Sequence, residues 1–136
     1  MKPVHLFALS IMLGCSSANQ TTPDPSGDKI VFTGDQKSDW DQILALEKEA
    51  KALVKTDGCS SSDQCRTAPV GSRGCGGPRY YLVYCAKTTD SAALYKKLEA
   101  IATAEHEYNT RYQIGSTCEF RMPPRVALIG SSCQAQ

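Results

Sequence analysis

Six of the seven cysteines in this 136-residue chain fall between Cys59 and Cys133, with five, nine, nine, thirty-two and fourteen residues intervening. An even set of that density in a small domain constrains the fold more than any apolar pattern, because it reads as a framework of disulfides. The competing use of cysteine is metal binding. Zinc sites draw their ligands in close pairs such as Cys-x-x-Cys, and the chain has no such pair. Downstream of residue 15 it holds one histidine, His106. Disulfides among Cys59, Cys65, Cys75, Cys85, Cys118 and Cys133 are therefore expected, with no metal and no other cofactor. Six cysteines allow fifteen pairings. Cys59–Cys65, Cys118–Cys133 and Cys75–Cys85 form one plausible set; Cys75–Cys118 with Cys85–Cys133 fits a sheet nearly as well.

The seventh cysteine stands apart. Cys15 closes Ile11-Met12-Leu13-Gly14-Cys15, at the end of a largely apolar run from Val4 to Leu13 that begins just after Lys2 and Pro3. A helix needs about 20 apolar residues to span a bilayer, so this run is too short. One positive charge, a short apolar stretch and a small residue before a cut read as an export signal. The segment resembles a bacterial lipoprotein signal peptide, in which the cysteine after the small residue is lipidated and becomes the first residue of the mature protein. Gly14 and Cys15 match that pattern; Met12 and Leu13 stand where it usually has Leu and a small residue. The resemblance implies a lipid at Cys15, and Ser16 rather than Asp after it implies the outer membrane. The alternative is an ordinary signal cut after Ser16-Ser17-Ala18, which gives a secreted protein.

Lys and Arg number 15 against 14 Asp and Glu. Removing residues 1–14 removes Lys2 and leaves no net charge, so the mature chain has no electrostatic claim on nucleic acid. Residues 15–36 are polar and rich in Ser, Thr and Pro up to Asp28, and read as a lipid anchor and tether. Ile30-Val31-Phe32 interrupts that stretch as a brief apolar patch. Residues 37–136 are one domain's worth of chain, with a core small enough for cross-links to matter.

Two helices are expected. The first starts at a cap on Ser38 or Asp39, carries Trp40, Ile43, Leu44, Ala50, Leu53 and Val54 as an apolar stripe, and ends at Asp57-Gly58. Glu47 and Lys51 fall on its outer face, four residues apart. The second runs from about Asp90 to Tyr112, with Leu94, Leu98, Ile101, Tyr108 and Tyr112 on one stripe, interrupted by Glu105, and Gly115 closing it. Arg66–Val70 reads as a short edge strand, since Pro69 cannot serve a central one. Arg79–Ala86 is the clearest strand, with Tyr80, Leu82 and Tyr84 on one face and Tyr81, Val83 and Cys85 on the other. Cys118–Met122 and Arg125–Ile129 read as two further strands around Pro123-Pro124. The order predicts an α+β domain, two helices on a short antiparallel sheet.

The stretch Cys75-Gly76-Gly77-Pro78-Arg79-Tyr80-Tyr81-Leu82-Val83-Tyr84, together with Cys59, Cys65, Asn109, Cys118 and Cys133, resembles a group of small exported bacterial proteins of unestablished function. The resemblance covers about residues 57–136 and implies fold and location only. Cys85 departs from the group's outline, so the resemblance assigns no pairing. Physically, Gly76 and Gly77 suit a turn with positive φ, and Pro78 then directs the chain into the strand.

No catalytic motif stands out. His106, Glu105 and Glu107 form the one acid–base cluster, on a helix, and cysteines held in disulfides are not nucleophiles. The chain is therefore not expected to be an enzyme. The first expectation is a non-catalytic envelope lipoprotein that binds or scaffolds, with an envelope protein as a possible partner. Tyr80 and Tyr84, if outward, are its candidate surface, although core packing is the commoner role for such residues. The alternative is a protease inhibitor presenting Arg66 or Arg73 from the segment between Cys65 and Cys75, since a pinned loop is preorganised.

Overall fold

The computed structural model describes residues 28–136; Cys15, the expected signal and most of the expected tether lie outside the described residues. The elements are α1 (Gln36–Leu53), β1 (Cys65–Val70), β2 (Tyr80–Cys85), α2 (Ser91–Arg111), β3 (Val126–Ile129) and β4 (Ser132–Ala135). The fold is α+β, as expected, but its strands form two separate two-stranded antiparallel ladders, β1–β2 and β3–β4. Among the described residues, no helix is long and apolar enough to cross a membrane.

The β1–β2 ladder sits between two layers, and strand alternation sorts its side chains between them. Ala68, Val70, Tyr80, Leu82 and Tyr84 face the helices, where they meet Ile43, Leu46 and Ala50 of α1 and Leu94, Leu98, Ile101, Ala104 and Tyr108 of α2. On the opposite face, Cys65, Val83 and Cys85 join Cys59, Cys133, Val126 and Leu128 in a second, cysteine-rich cluster. Ile30 and Phe32, assigned to the tether on composition, pack against the helical core, and Asp28 is held by Lys97 at 2.8 Å.

The helix ends correct the sequence reading. Asp35 caps α1, its side chain accepting from the Ser38 amide at 2.7 Å, and the helix stops at Leu53, before Asp57-Gly58. Asp39 is instead buried one turn in. It accepts from the Thr33 amide and hydroxyl, each at 2.7 Å, and from the Tyr112 hydroxyl at 2.6 Å. Asp90, where the second helix was expected to begin, is the cap of α2, its side chain accepting from the Ala93 amide at 3.0 Å. Gln113, not Gly115, takes the left-handed residue after it (φ 51°), and the Ile114 amide reaches back to the Asn109 carbonyl at 2.9 Å. That is a Schellman closure.

Cys118–Met122 forms no strand: its polar backbone is taken by side chains, the Arg121 carbonyl accepting from the Tyr81 hydroxyl at 3.1 Å. Its place in a ladder goes to Ser132–Ala135, which pairs back on β3 across Gly130 and Ser131. The disulfides are Cys59–Cys85, Cys65–Cys133 and Cys75–Cys118. Cys75–Cys118 is common to one of the expected sets; the local bridge Cys59–Cys65 is not formed, because Cys65 lies opposite Cys85 in the ladder and its side chain meets β4.

Two buried carboxylates make stability depend on pH. Burial alone would raise the Asp39 pKa, but hydrogen bonds from Tyr112, Thr33 and Gly34 bring it down from 3.8 to about 2. Burial likewise opposes ionisation of Glu47, and bonds from Lys51, Tyr80 and Arg79 take it from 4.5 to about 2. Both are lower in the folded chain than in the unfolded one, so their contribution is complete above about pH 5 and lost as pH falls toward 2. Urea midpoints measured across that window should fall steadily, and less steeply in Tyr112→Phe, which lacks the Asp39 bond.

Candidate functional site

The centre of the molecule is ionic. Arg79, on the approach to β2, points into the helical layer, where Glu105 of α2 is 1% exposed and Glu47 of α1 is 4% exposed. Glu105 Oε1 accepts from Arg79 Nε at 2.9 Å and Nη2 at 2.6 Å, and its Oε2 accepts from the Ser72 amide at 2.7 Å. Glu47 accepts from Arg79 Nη2, from the Tyr80 hydroxyl and from Lys51 Nζ, the last at 2.7 Å. Burial works against the Arg79 charge, but the bonds to Glu105 and Glu47 outweigh it and raise its pKa. Gly71 makes the arrangement possible. Its φ is +76°, and a Cβ there would collide with the Glu105 carboxylate.

Beside this cluster lies a cavity of about 320 Å³. Trp40 of α1, Tyr108 and Asn109 of α2, the segment Ser72–Gly74 after β1, and Ile114–Ser116 after α2 form its walls, with Arg73, Arg79 and Glu105 among the lining groups. Trp40 packs on Tyr108 with ring centroids 5.1 Å apart, and the Arg79 guanidinium stands 5.4 Å from the Trp40 ring. The walls are tied together. Asn109 Nδ2 donates to the Ser72 carbonyl at 2.7 Å, and the Cys75 amide donates to Ser116 Oγ at 2.9 Å. The Cys75–Cys118 disulfide closes the same junction. The loop between is a tight turn, with the Gly76 amide on the Arg73 carbonyl at 2.9 Å and positive φ at Gly76 (93°) and Gly77 (76°), the conformation expected of that pair.

Larger depressions lie on the outer side of α2. One of about 430 Å³ runs beside Asp28–Phe32, and one of about 460 Å³ is lined by His106, Glu107, Thr110 and Arg111 of a single helix face. Neither gathers side chains from several elements around a buried charge, and the cavity at Trp40 does.

The sequence candidates separate on this framework. His106 and Glu107 are exposed, whereas Glu105 is buried and spent on Arg79, so the three form no cluster. Tyr84 is in the core and Tyr80 is bonded to Glu47, so neither offers an outward surface. Arg66 is exposed on β1, in a strand paired throughout with β2. Arg73 turns inward, its side chain 11% exposed. Cys65 and Cys75 belong to different bridges, so the segment between them is not a loop held at its own two ends. Cys59, Cys65 and Cys133 lie within 4.8 Å of one another at sulfur, but as members of two neighbouring disulfides they have no thiolate to offer a metal.

Sequence reading set Glu47 with Lys51 on the outer face of α1; the pair forms, but Glu47 is buried because Arg79 and Tyr80 reach it, and the parts played by Arg79 and Glu105 were missed. The one available signal was a carboxylate interrupting an otherwise apolar stripe, which buried charges do when a partner reaches them. No protein-family model, curated protein or solved structure matches the chain, and the geometry carries the functional reading.

Gly71→Ala should destabilise the domain by about 2–4 kcal/mol, combining backbone strain with displacement of Glu105. Gly76→Ala, whose Cβ would meet nothing within 4 Å, should cost only the backbone strain of about 1–2 kcal/mol; thermal melting distinguishes them. Cys75 and Cys118 are exposed while the other four cysteines are buried. Limited reduction followed by alkylation and peptide mass analysis should therefore label this pair before the rest.

Proposed function

We propose that this chain is a non-catalytic binding domain, tethered to the bacterial cell envelope by lipid on Cys15, that holds a small molecule in the cavity between Trp40 and Ser116. The cavity carries the reading. Small-molecule sites run from about 300 to 1,000 Å³ and combine apolar walls with a few fixed polar groups. This one has Trp40, Tyr108 and Ile114 as walls and Ser72, Asn109 and Ser116 as polar groups. Its walls come from four separated segments joined by the Arg79 ion cluster and a disulfide, so little ordering entropy remains to be lost on binding.

The absence of a catalytic role rests on the same chemistry. A general base must be free to take a proton, and Glu47 and Glu105 are both engaged by Arg79. The anchor rests on the Gly14-Cys15 pattern after a short apolar run, and a mature lipoprotein carries enough acyl chains to be held firmly. The outer membrane is the proposed location, and a protein of the envelope the proposed partner.

Trp40 is the sole tryptophan, so its fluorescence reports on the cavity directly. Titration with pools of amino acids, organic acids, sugars and nucleosides should give a saturable emission change with at least one pool, with every pool component recovered unchanged. Silence from all pools overturns the binding reading, and consumption of a component overturns its non-catalytic part. Intact mass of the membrane fraction should show a species starting at Cys15 with added acyl mass, and Cys15→Ala should move the protein to the soluble fraction.

A further inference from the structure

The cavity is lined by a cation whose one ion pair is long, shared and open to solvent. Arg79 is compensated by Glu105 and Glu47, and the surplus negative charge of that pair is met by Lys51. Arg73 is paired less well. Its side chain is 11% exposed, and its guanidinium ends on two neutral carbonyl oxygens, Glu119 at 2.5 Å through Nη2 and Thr117 at 3.4 Å through Nη1. The nearest carboxylate oxygen, Glu119 Oε1, is 3.8 Å away on a side chain 57% exposed, and is shared with Arg121 at 3.0 Å. Solvent and Arg121 both weaken that contact. Arg73 Nε is buried and makes no hydrogen bond among the described residues. A nearly buried charge with a weak counter-ion and an unused donor is costly, and a second anion beside it offsets that cost.

We propose that the cavity binds a small monocarboxylate, with the carboxylate compensating Arg73 and an apolar body lying against Trp40, Tyr108 and Ile114. The inference rests on the binding reading above and adds the class of ligand. Arg73 and Arg121 share the single carboxylate of Glu119 and so carry one surplus positive charge, which a carboxylate ligand offsets; a doubly charged phosphate would leave the site negative. A guanidinium also takes a planar carboxylate in two parallel hydrogen bonds. At about 320 Å³ the cavity is at the small end of ligand sites, which suits a molecule of amino-acid size rather than a nucleotide. Tyr108 and Trp40 give the body a flat apolar face, so an aromatic or branched acid fits better than a sugar acid.

The test compares phenylacetate with its neutral isostere phenylacetamide on the oxidised protein, read by Trp40 emission and by amide chemical shifts of Ser72, Asn109 and Ser116. The acid should bind at least about tenfold more tightly than the amide, because truncating one member of a buried charge pair commonly loses more than that. Inorganic phosphate should compete weakly. In Arg73→Gln, verified by mass to retain three disulfides, the difference between acid and amide should vanish; Arg73→Lys should keep part of it. If Arg73→Gln does not fold, the acid–amide ratio of the native protein and the Arg73→Lys result decide alone. Equal binding of acid and amide overturns the carboxylate assignment and leaves the cavity as a neutral-ligand site. Tighter binding of phosphate overturns it in favour of a phosphorylated ligand. Silence of both phenyl compounds overturns it as well, and only silence of every pool in the preceding section removes the binding reading itself.

Discussion

Arg79 holds the domain to a single arrangement. Moving its charge and those of Glu47 and Glu105 out of water costs several kcal/mol each, and the cost is recovered only when the hydrogen-bond geometry is right. Here each carboxylate meets Arg79 and at least one further donor: the Ser72 amide for Glu105, Tyr80 and Lys51 for Glu47. A carboxylate facing a guanidinium must keep both distance and angle, a narrower demand than apolar contact alone makes. With Glu105 fixed toward Arg79, the residues one turn on, Tyr108 and Asn109, are fixed toward Trp40 and Ser72. The cavity is therefore a consequence of the ion cluster beside it.

The second constraint is covalent. A two-stranded ladder is marginal in water by itself, and this domain has two of them. Helices cover one face of β1–β2. The other face has only Val83, Val126 and Leu128 around four cysteines, too few apolar groups to hold β3–β4 in place. Bridges closing separations of 26 and 68 residues supply what burial does not, each worth about 3–4 kcal/mol through the unfolded chain. The third bridge lies on the surface and secures the cavity's rim rather than the core.

Much of this was legible in the sequence. The second helix and its start near Asp90, the alternation of Tyr80–Cys85 and the α+β class are all local or periodic signals, and periodic signals survive folding. The first helix was misplaced at both ends because Asp35 and Asp39 are both good caps, and tertiary burial decided between them. β4 was invisible because Ser132-Cys133-Gln134-Ala135 has no β signature; it is placed by contacts distant in sequence, the Cys65–Cys133 bridge and the Cys133 amide on the Thr56 carbonyl. Cys118–Met122 has that signature, yet its backbone is satisfied by Tyr81 and Arg73. Of the site, the Gly76-Gly77 turn was readable. The partnership of Glu47, Arg79 and Glu105 was not, since nothing in a linear chain says that residues 26 and 32 positions apart will meet.

The order of the cysteines has a consequence for how the chain is made. A polypeptide emerges N-terminus first, so in any oxidising compartment Cys59, Cys65, Cys75 and Cys85 meet oxidant while Cys118 and Cys133 are still to come. Only one native bond, Cys59–Cys85, exists within that early group. Cys65 and Cys75 each wait for a partner in the last fifth of the molecule, and they are close enough in sequence to find each other first. Correct maturation therefore requires either that oxidation lag behind emergence or that an isomerase resolve a premature Cys65–Cys75 link. The yield of correctly bridged protein in any host will follow that host's disulfide-shuffling capacity more closely than the intrinsic stability of the finished domain.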